Sequence, residues 1–303
     1  MADKPSRALV LYGDGFAPLI HSSHTHLHSL ASIASCGFLS LPNAPSSENQ
    51  DDRIVREFGI LVDASYEAHL NLNEDISQPL IPTISERFMG MKAALITSNS
   101  SLESFGSKLG FTVLQLKDFS NKNNNHSKLL ELLGFQEGKT VDTSEFDLVF
   151  LHIGAGDNKD KAASYDLEFI NSLVGGIMNV AQLGSEIGSR LHFSVVLSYG
   201  SVSDVDDSSN LSISVKKDEK KSYLSVLFPH QSYTMKGENQ RKNVRHHSPM
   251  LMAQWQYAVT RKDMAKTFSF KDFKENGGNL VIPADRFVHE VAFKLWKAPK
   301  YGA

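Results

Sequence analysis

Six short segments of the chain are apolar almost without interruption and rich in branched side chains. They are Ala8–Tyr12, Phe38–Leu41, Ala93–Thr97, Phe111–Leu116, Leu148–Ile153 and Phe193–Leu197. Runs of this length that do not alternate with polar residues fit strands buried on both faces. Helical periodicity falls between most of them. Thr25–Cys36 is one such stretch, and Asp52–Leu70 is another, with Ile54, Phe58, Leu61 and Val62 on one face. Ser101–Leu109 follows Ser100 as N-cap and closes at Gly110, a C′ glycine. Lys128–Leu133 stops at Gly134, and Tyr165–Ala181 is apolar along one side. Met250–Val259 and Ala284–Trp296, the latter after Pro283, also read as helical. Strands alternating with helices predict an α/β fold: a doubly wound, mostly parallel sheet with helices on both faces.

The polar stretches divide the chain little. Pro42–Gln50 and Phe119–Ser127 read as loops, as do Ser203–Asn210 and Lys216–Lys221 on either side of a short alternating segment, Leu211–Val215. The expectation is one domain over residues 1–303 with a loop excursion around 203–245. Composition is ordinary for a globular protein at 41% hydrophobic and 21% charged. A net charge of -3 argues against a general nucleic-acid or membrane-surface binder, both of which usually carry a basic excess. The lone cysteine, Cys36, precludes an intramolecular disulfide and reads as a small core residue. Met-Ala-Asp-Lys-Pro-Ser is unlike a signal or transit peptide, and no apolar run spans a bilayer, so a cytoplasmic protein is expected.

Chemistry concentrates where predicted strands end. Asp14-Gly15 closes the first, at the edge where such sheets bind ligands. Leu148–Ile153 runs into Gly154-Ala-Gly-Asp157 and on to Lys161, so Asp157 is delivered to the same edge as Asp14. Phe193–Leu197 ends in Ser198-Tyr-Gly-Ser201. Late in the chain, Arg245-His246-His247-Ser-Pro249 gathers groups suited to an anion or a metal. Among His21, His24, His26 and His28, the second and fourth stand four apart, a spacing that can hold a transition metal on a helix face. Thr97-Ser-Asn-Ser-Ser carries neither Gly-x-Gly-x-x-Gly nor Gly-Lys-Ser/Thr. There is no Gly-x-Ser-x-Gly, His-Glu-x-x-His or Cys-x-x-Cys in the chain.

The opening Leu-Val-Leu-Tyr-Gly-Asp14-Gly15, followed by His-Leu-His-Ser-Leu-Ala-Ser-Ile-Ala-Ser-Cys-Gly37, resembles the start of the alkaline phosphatase superfamily, and most of all its cofactor-independent phosphoglycerate mutases. Phe146–Asp157 resembles the family's strand leading to an Asp-x-x-x-His metal pair, and His247-Ser-Pro-Met-Leu its late His-Thr-x-x-Pro segment. The chain's general look also resembles a plant protein group of uncharacterised function. The superfamily resemblance implies an alkaline-phosphatase-like core, two divalent metals (Zn, Mn or Mg), a Ser or Thr nucleophile and phosphoryl transfer. Carried over by position, it implies Asp14, Asp157 and His246 as metal ligands and Ser46 or Ser47 as nucleophile. Lys161, Arg245 and His247 are the expected contacts to a phosphorylated or otherwise anionic small molecule. This chain departs from the pattern at Lys161, where the family has His, and at Tyr199-Gly200, where it has an Asp-His pair. A two-metal clamp needs about six acid or His ligands. Two readings stay open: metal-assisted phosphatase or phosphomutase chemistry with a remodelled site, or a non-catalytic descendant that binds a phosphorylated metabolite or a protein partner. Asp14, Asp157 and the Arg245–Ser248 stretch are expected to converge at one edge of the sheet.

Overall fold

The computed structural model describes residues 6–45, 48–64, 81–119, 125–141, 143–154, 161–202, 211–213, 235–236, 239–257, 261–278 and 281–299. The apolar runs become strands. In chain order the elements begin with β1 (Arg7–Asp14), α1 (Thr25–Ile33), β2 (Ser35–Ser40), α2 (Gln50–Leu61) and α3 (Ile84–Arg87). Next come β3 (Ala93–Thr97), α4 (Ser100–Lys108), β4 (Thr112–Gln115) and α5 (Asn125–Leu132). A small hairpin, β5 (Phe135–Gln136) and β6 (Lys139–Thr140), leads to β7 (Leu148–Gly154), α6 (Lys161–Val180), α7 (Glu186–Arg190) and β8 (Leu191–Leu197). A second hairpin, β9 (Met235–Lys236) and β10 (Asn239–Gln240), precedes β11 (Met250–Gln256), α8 (Phe270–Asn276), β12 (Val281–Pro283) and α9 (Phe287–Lys294).

Eight strands form one sheet in the order β12-β2-β11-β8-β1-β7-β3-β4. Every neighbouring pair is parallel except those made by β11, which runs antiparallel between β2 and β8. The doubly wound, mostly parallel α/β sheet expected from the sequence is therefore what forms. β1 lies near its centre, with Asp14 opposite Gly154 of β7 and Gly13 opposite Leu197 of β8. Alternation along β1 feeds two cores. Leu9 and Leu11 join the layer of α1, α5 and α6, while Ala8, Val10 and Tyr12 join that of α2, α4 and α9.

One expectation is overturned. Met250–Val259 was read as a helix, yet Met250–Gln256 is a strand buried along its whole length. Its first four residues, Met250-Leu-Met-Ala, are all apolar and covered on both faces, and so short a run carries no period that separates helix from strand. Cys36 consequently sits in β2 and not at the end of a helix; it is fully buried, and burial raises its thiol pKa well above the usual value. Smaller differences concern boundaries. The cap of α4 is Asn99, whose side chain accepts from the Leu102 N–H, so Ser100 is the first helical residue. Residues 65–70, the far end of the long helix expected from Asp52, lie outside the described residues, as do most of 203–245. Within that excursion Ser212 bridges His247 in antiparallel fashion. Among the described residues no helix is long and apolar enough to cross a membrane.

Candidate functional site

Parallel strands deliver their C-terminal ends to one edge, and a buried network of charges has formed there. Asp14 ends β1 and is 2% exposed. Arg53, one turn into α2, meets it with two parallel bonds: Nη1 donates to Oδ1 at 2.7 Å and Nη2 to Oδ2 at 2.6 Å. Paired N–H bonds of this kind are the strongest way a guanidinium holds a carboxylate. Ser198, just past β8, adds a hydroxyl bond to Oδ1 at 2.7 Å, and its oxygen accepts the Gly15 N–H. Burial alone would raise the Asp14 carboxyl pKa. Arg53 outweighs that and holds it below the usual carboxylate value. Gly15 and Gly200 both adopt positive φ, and a Cβ on Gly200 would stand 3.1 Å from the Gly15 Cα. The turns after β1 and β8 thus pack backbone to backbone, which glycine alone permits comfortably.

The network continues along α2. Glu57 lies one turn after Arg53 and faces it at 3.3 Å. Arg56 pairs with Glu48 at 2.6 Å. Burial, followed by the negative charge of Asp14, pushes Glu57 up to about 7. Within this stretch of α2 the buried atoms Arg53 Nε, Arg56 Nη1 and Glu57 Oε1 lack hydrogen-bond partners. On the other side of Asp14, His152 of β7 is fully buried, with Nδ1 at 2.8 Å from the Thr97 hydroxyl. Burial pushes its imidazole pKa down to about 4, so it is neutral near neutral pH.

The sequence-predicted residues fall unevenly. Asp14 is at the edge expected, but both its oxygens are committed to Arg53 and Ser198. Arg245 reaches the same edge, since its N–H bonds Leu41 O just past β2 and its charge acts on Glu57. Its guanidinium also donates to the His247 and Ser248 carbonyls, bracing a turn in which Ser248 has positive φ. His246 is exposed; His247 is half-buried with Nε2 unpartnered. Lys161 opens α6, with its side chain outside the description. Asp157, Ser46 and Ser47 lie outside the described residues.

The histidine run is taken up by structure. His24 Nδ1 accepts the His21 N–H, and His28 Nδ1 accepts the Phe268 N–H. Among the described residues no group of three or more His, Cys, Asp or Glu side chains could hold a metal ion. A divalent cation at Asp14 would have to displace a bidentate guanidinium, so the described residues do not fit one. Arg53, Glu57 and Arg56 escaped the sequence reading because they sit inside a helix whose Ile54, Phe58 and Leu61 already explain its burial. The available signal was the Arg-x-x-Arg-Glu run with Arg53 and Glu57 four apart. For His152 it was a lone polar residue within Leu148–Ile153.

No family model matches the chain, and no curated protein matches it. Solved structures do. The PH0037 protein from Pyrococcus horikoshii is 14% identical, with all of both chains covered and a TM-score of 0.60. The lipoteichoic acid synthase LtaP from Listeria monocytogenes is 9% identical over 99% of this chain and 74% of that one, with a TM-score of 0.52. A cofactor-independent phosphoglycerate mutase from Thermoplasma acidophilum is 9% identical over 96% of this chain and all of that one, at a TM-score of 0.49. At these identities the likeness is one of fold. That fold is mixed α/β, a large and mostly parallel central sheet flanked by helices.

Proposed function

We propose that this protein is a divergent relative of the alkaline phosphatase superfamily that binds a phosphorylated or otherwise anionic small molecule without metal-assisted phosphoryl transfer. The observation that carries this reading is the bidentate Arg53–Asp14 pair. A guanidinium supplies the positive charge that a buried carboxylate demands, occupies both of its oxygens, and repels a second cation placed beside them. The unpartnered N–H groups of Arg53 and Arg56 are buried donors of the type that phosphate and carboxylate oxygens satisfy. Lys161, Arg245 and His247 are the further contacts expected from the sequence.

Two measurements test the proposal. Elemental analysis of the purified protein should find no stoichiometric pair of Zn, Mn or Mg. Two tightly held metals per chain would overturn the reading and favour a working phosphatase or phosphomutase that uses Asp14, Asp157 and His246. A thermal-shift panel of phosphorylated sugars and glycerates should raise Tm at low salt and less at high salt. Arg56→Gln should weaken that response. If no anion raises Tm, the small-anion site is wrong and a protein partner becomes the better account.

A further inference from the structure

A pocket of about 620 Å3 opens between the first turns of α2 and α4 and the end of β7. Asn49, Asp51, Asp52, Asn99, His152 and Gly154 line it. Its size is that of a small-molecule site.

One atom points to an occupant. His152 is 2% exposed, its Nδ1 is engaged by Thr97, and its Nε2 has no hydrogen-bond partner. A buried polar atom left unsatisfied costs about 1–3 kcal/mol, and native structures rarely keep one without a reason. Gly154 leaves that side of the ring uncovered: a Cβ there would stand 3.7 Å from Nε2 and 3.5 Å from Cε1.

The lining selects the chemistry of the occupant. α2 and α4 run for 12 and 9 residues, and each cap satisfies one amide: Asn49 takes the Asp52 N–H and Asn99 the Leu102 N–H. The remaining first-turn N–H groups are donors at the positive ends of two helices. Against them stand the carboxylates of Asp51 and Asp52, held by the Asn99 and Asn49 side-chain amides at 2.9 and 2.6 Å. No Lys or Arg is among the described lining residues. Two carboxylates repel an anion, and two helix starts repel a cation. The imidazole is neutral near neutral pH. A group that accepts from backbone N–H and also donates to a carboxylate satisfies both sides, and an alcohol hydroxyl does this. We propose that this pocket binds a neutral polyhydroxylated molecule of the sugar or cyclitol class, with one hydroxyl on His152 Nε2. The proposal stands apart from the anion reading, because Arg53, Arg56 and Arg245 are not among the described lining residues.

The test uses the full chain with D-ribose, D-glucose and myo-inositol as probes at low-millimolar concentration, far below the levels at which sugars stabilise proteins by exclusion. At least one should raise Tm saturably and shift the His152 ring resonances. His152→Gln keeps a hydrogen-bonding tip and should retain binding. His152→Phe should weaken it about tenfold, the equivalent of one hydrogen bond of about 1.4 kcal/mol. Gly154→Val, whose Cβ makes only ordinary contact with the ring, should fold and lose the response. This variant decides the matter if His152→Phe does not fold. The proposal fails if none of the three probes gives a saturable shift, or if Gly154→Val responds like the parent. It also fails if inorganic phosphate or putrescine gives the saturable shift in place of the polyols.

Discussion

At the scale of single residues, the edge of the sheet is governed by how three buried groups share charge. Asp14 is held ionised by Arg53, whereas Glu57, buried beside that already neutralised pair, is pushed up to about 7 against an ordinary 4.5. Between those values the folded chain keeps a proton that the unfolded chain has released. Glu57 therefore makes stability fall as pH rises from about 4.5 to about 7. His152 acts the other way. Its imidazole resists protonation down to about 4 while the unfolded chain takes a proton below 6.5, so stability rises with pH over that window. His192, fully buried and also lowered, has the same sign. Near pH 5 to 6 the two histidines outweigh Glu57, so these three groups together make the parent's stability rise with pH. Glu57→Gln deletes the falling contribution. Urea midpoints measured across pH should show the variant gaining on the parent as pH climbs from 4.5 to 7. The steepest difference is about 1.4 kcal/mol per pH unit, the limit for one proton. A constant offset between the two would mean that Glu57 titrates normally.

At the scale of elements, α6 carries a Gly175-Gly176 pair in mid-helix, where glycine costs about 1 kcal/mol relative to alanine. The reason is packing. A Cβ on Gly175 would sit 2.7 Å from the His26 ring of α1, and one on Gly176 would sit 2.5 Å from the His126 ring of α5. The glycines let both rings lie against the helix backbone. Gly175→Ala alone should thus gain little or lose stability, while in a His26→Ala background it should stabilise by about 1 kcal/mol. A double-mutant cycle by chemical denaturation checks this, and additivity would show that His26 is not the obstacle. The same scale shows what the sequence made legible. Parallel strands buried on both faces announce themselves as apolar runs, so β1, β3, β7 and β8 were readable close to their ends. β11 was not, because an antiparallel insertion between two parallel strands leaves no local trace and its partners lie far away in the chain, Leu39 opposite Met250 and Leu197 opposite Leu251. At the site, Asp14 was legible from its place at a strand end, but Arg53 was not. Which cation meets a buried acid depends on where the next helix lands.

At the scale of the whole molecule, the two apolar layers are not separate bodies. The inner strands of the sheet contribute alternate residues to both. In β7, Val149, Leu151 and Ile153 enter one layer, and Leu148 and Phe150 enter the other. β8 and β11 divide in the same way, with Phe193, Val195 and Leu197 against Val196, and Leu251, Ala253 and Trp255 against Met250 and Met252. Losing either layer strips one face from every central strand and exposes apolar surface at about 25 cal/mol per Å2. The sheet cannot survive on the other face alone. Domains with unconnected cores would unfold in separate steps; this arrangement predicts one. We expect residues 1–303 to behave as a single cooperative unit. Trp255, buried in the layer of α1 and α6, reports on one side through its fluorescence once the second tryptophan is removed by Trp296→Phe. Far-UV circular dichroism reports on the helices of both layers. In guanidinium the two transitions should coincide in midpoint and steepness. A Trp255 transition displaced from the helical one would show that the layers come apart independently, and the single-domain reading would fall.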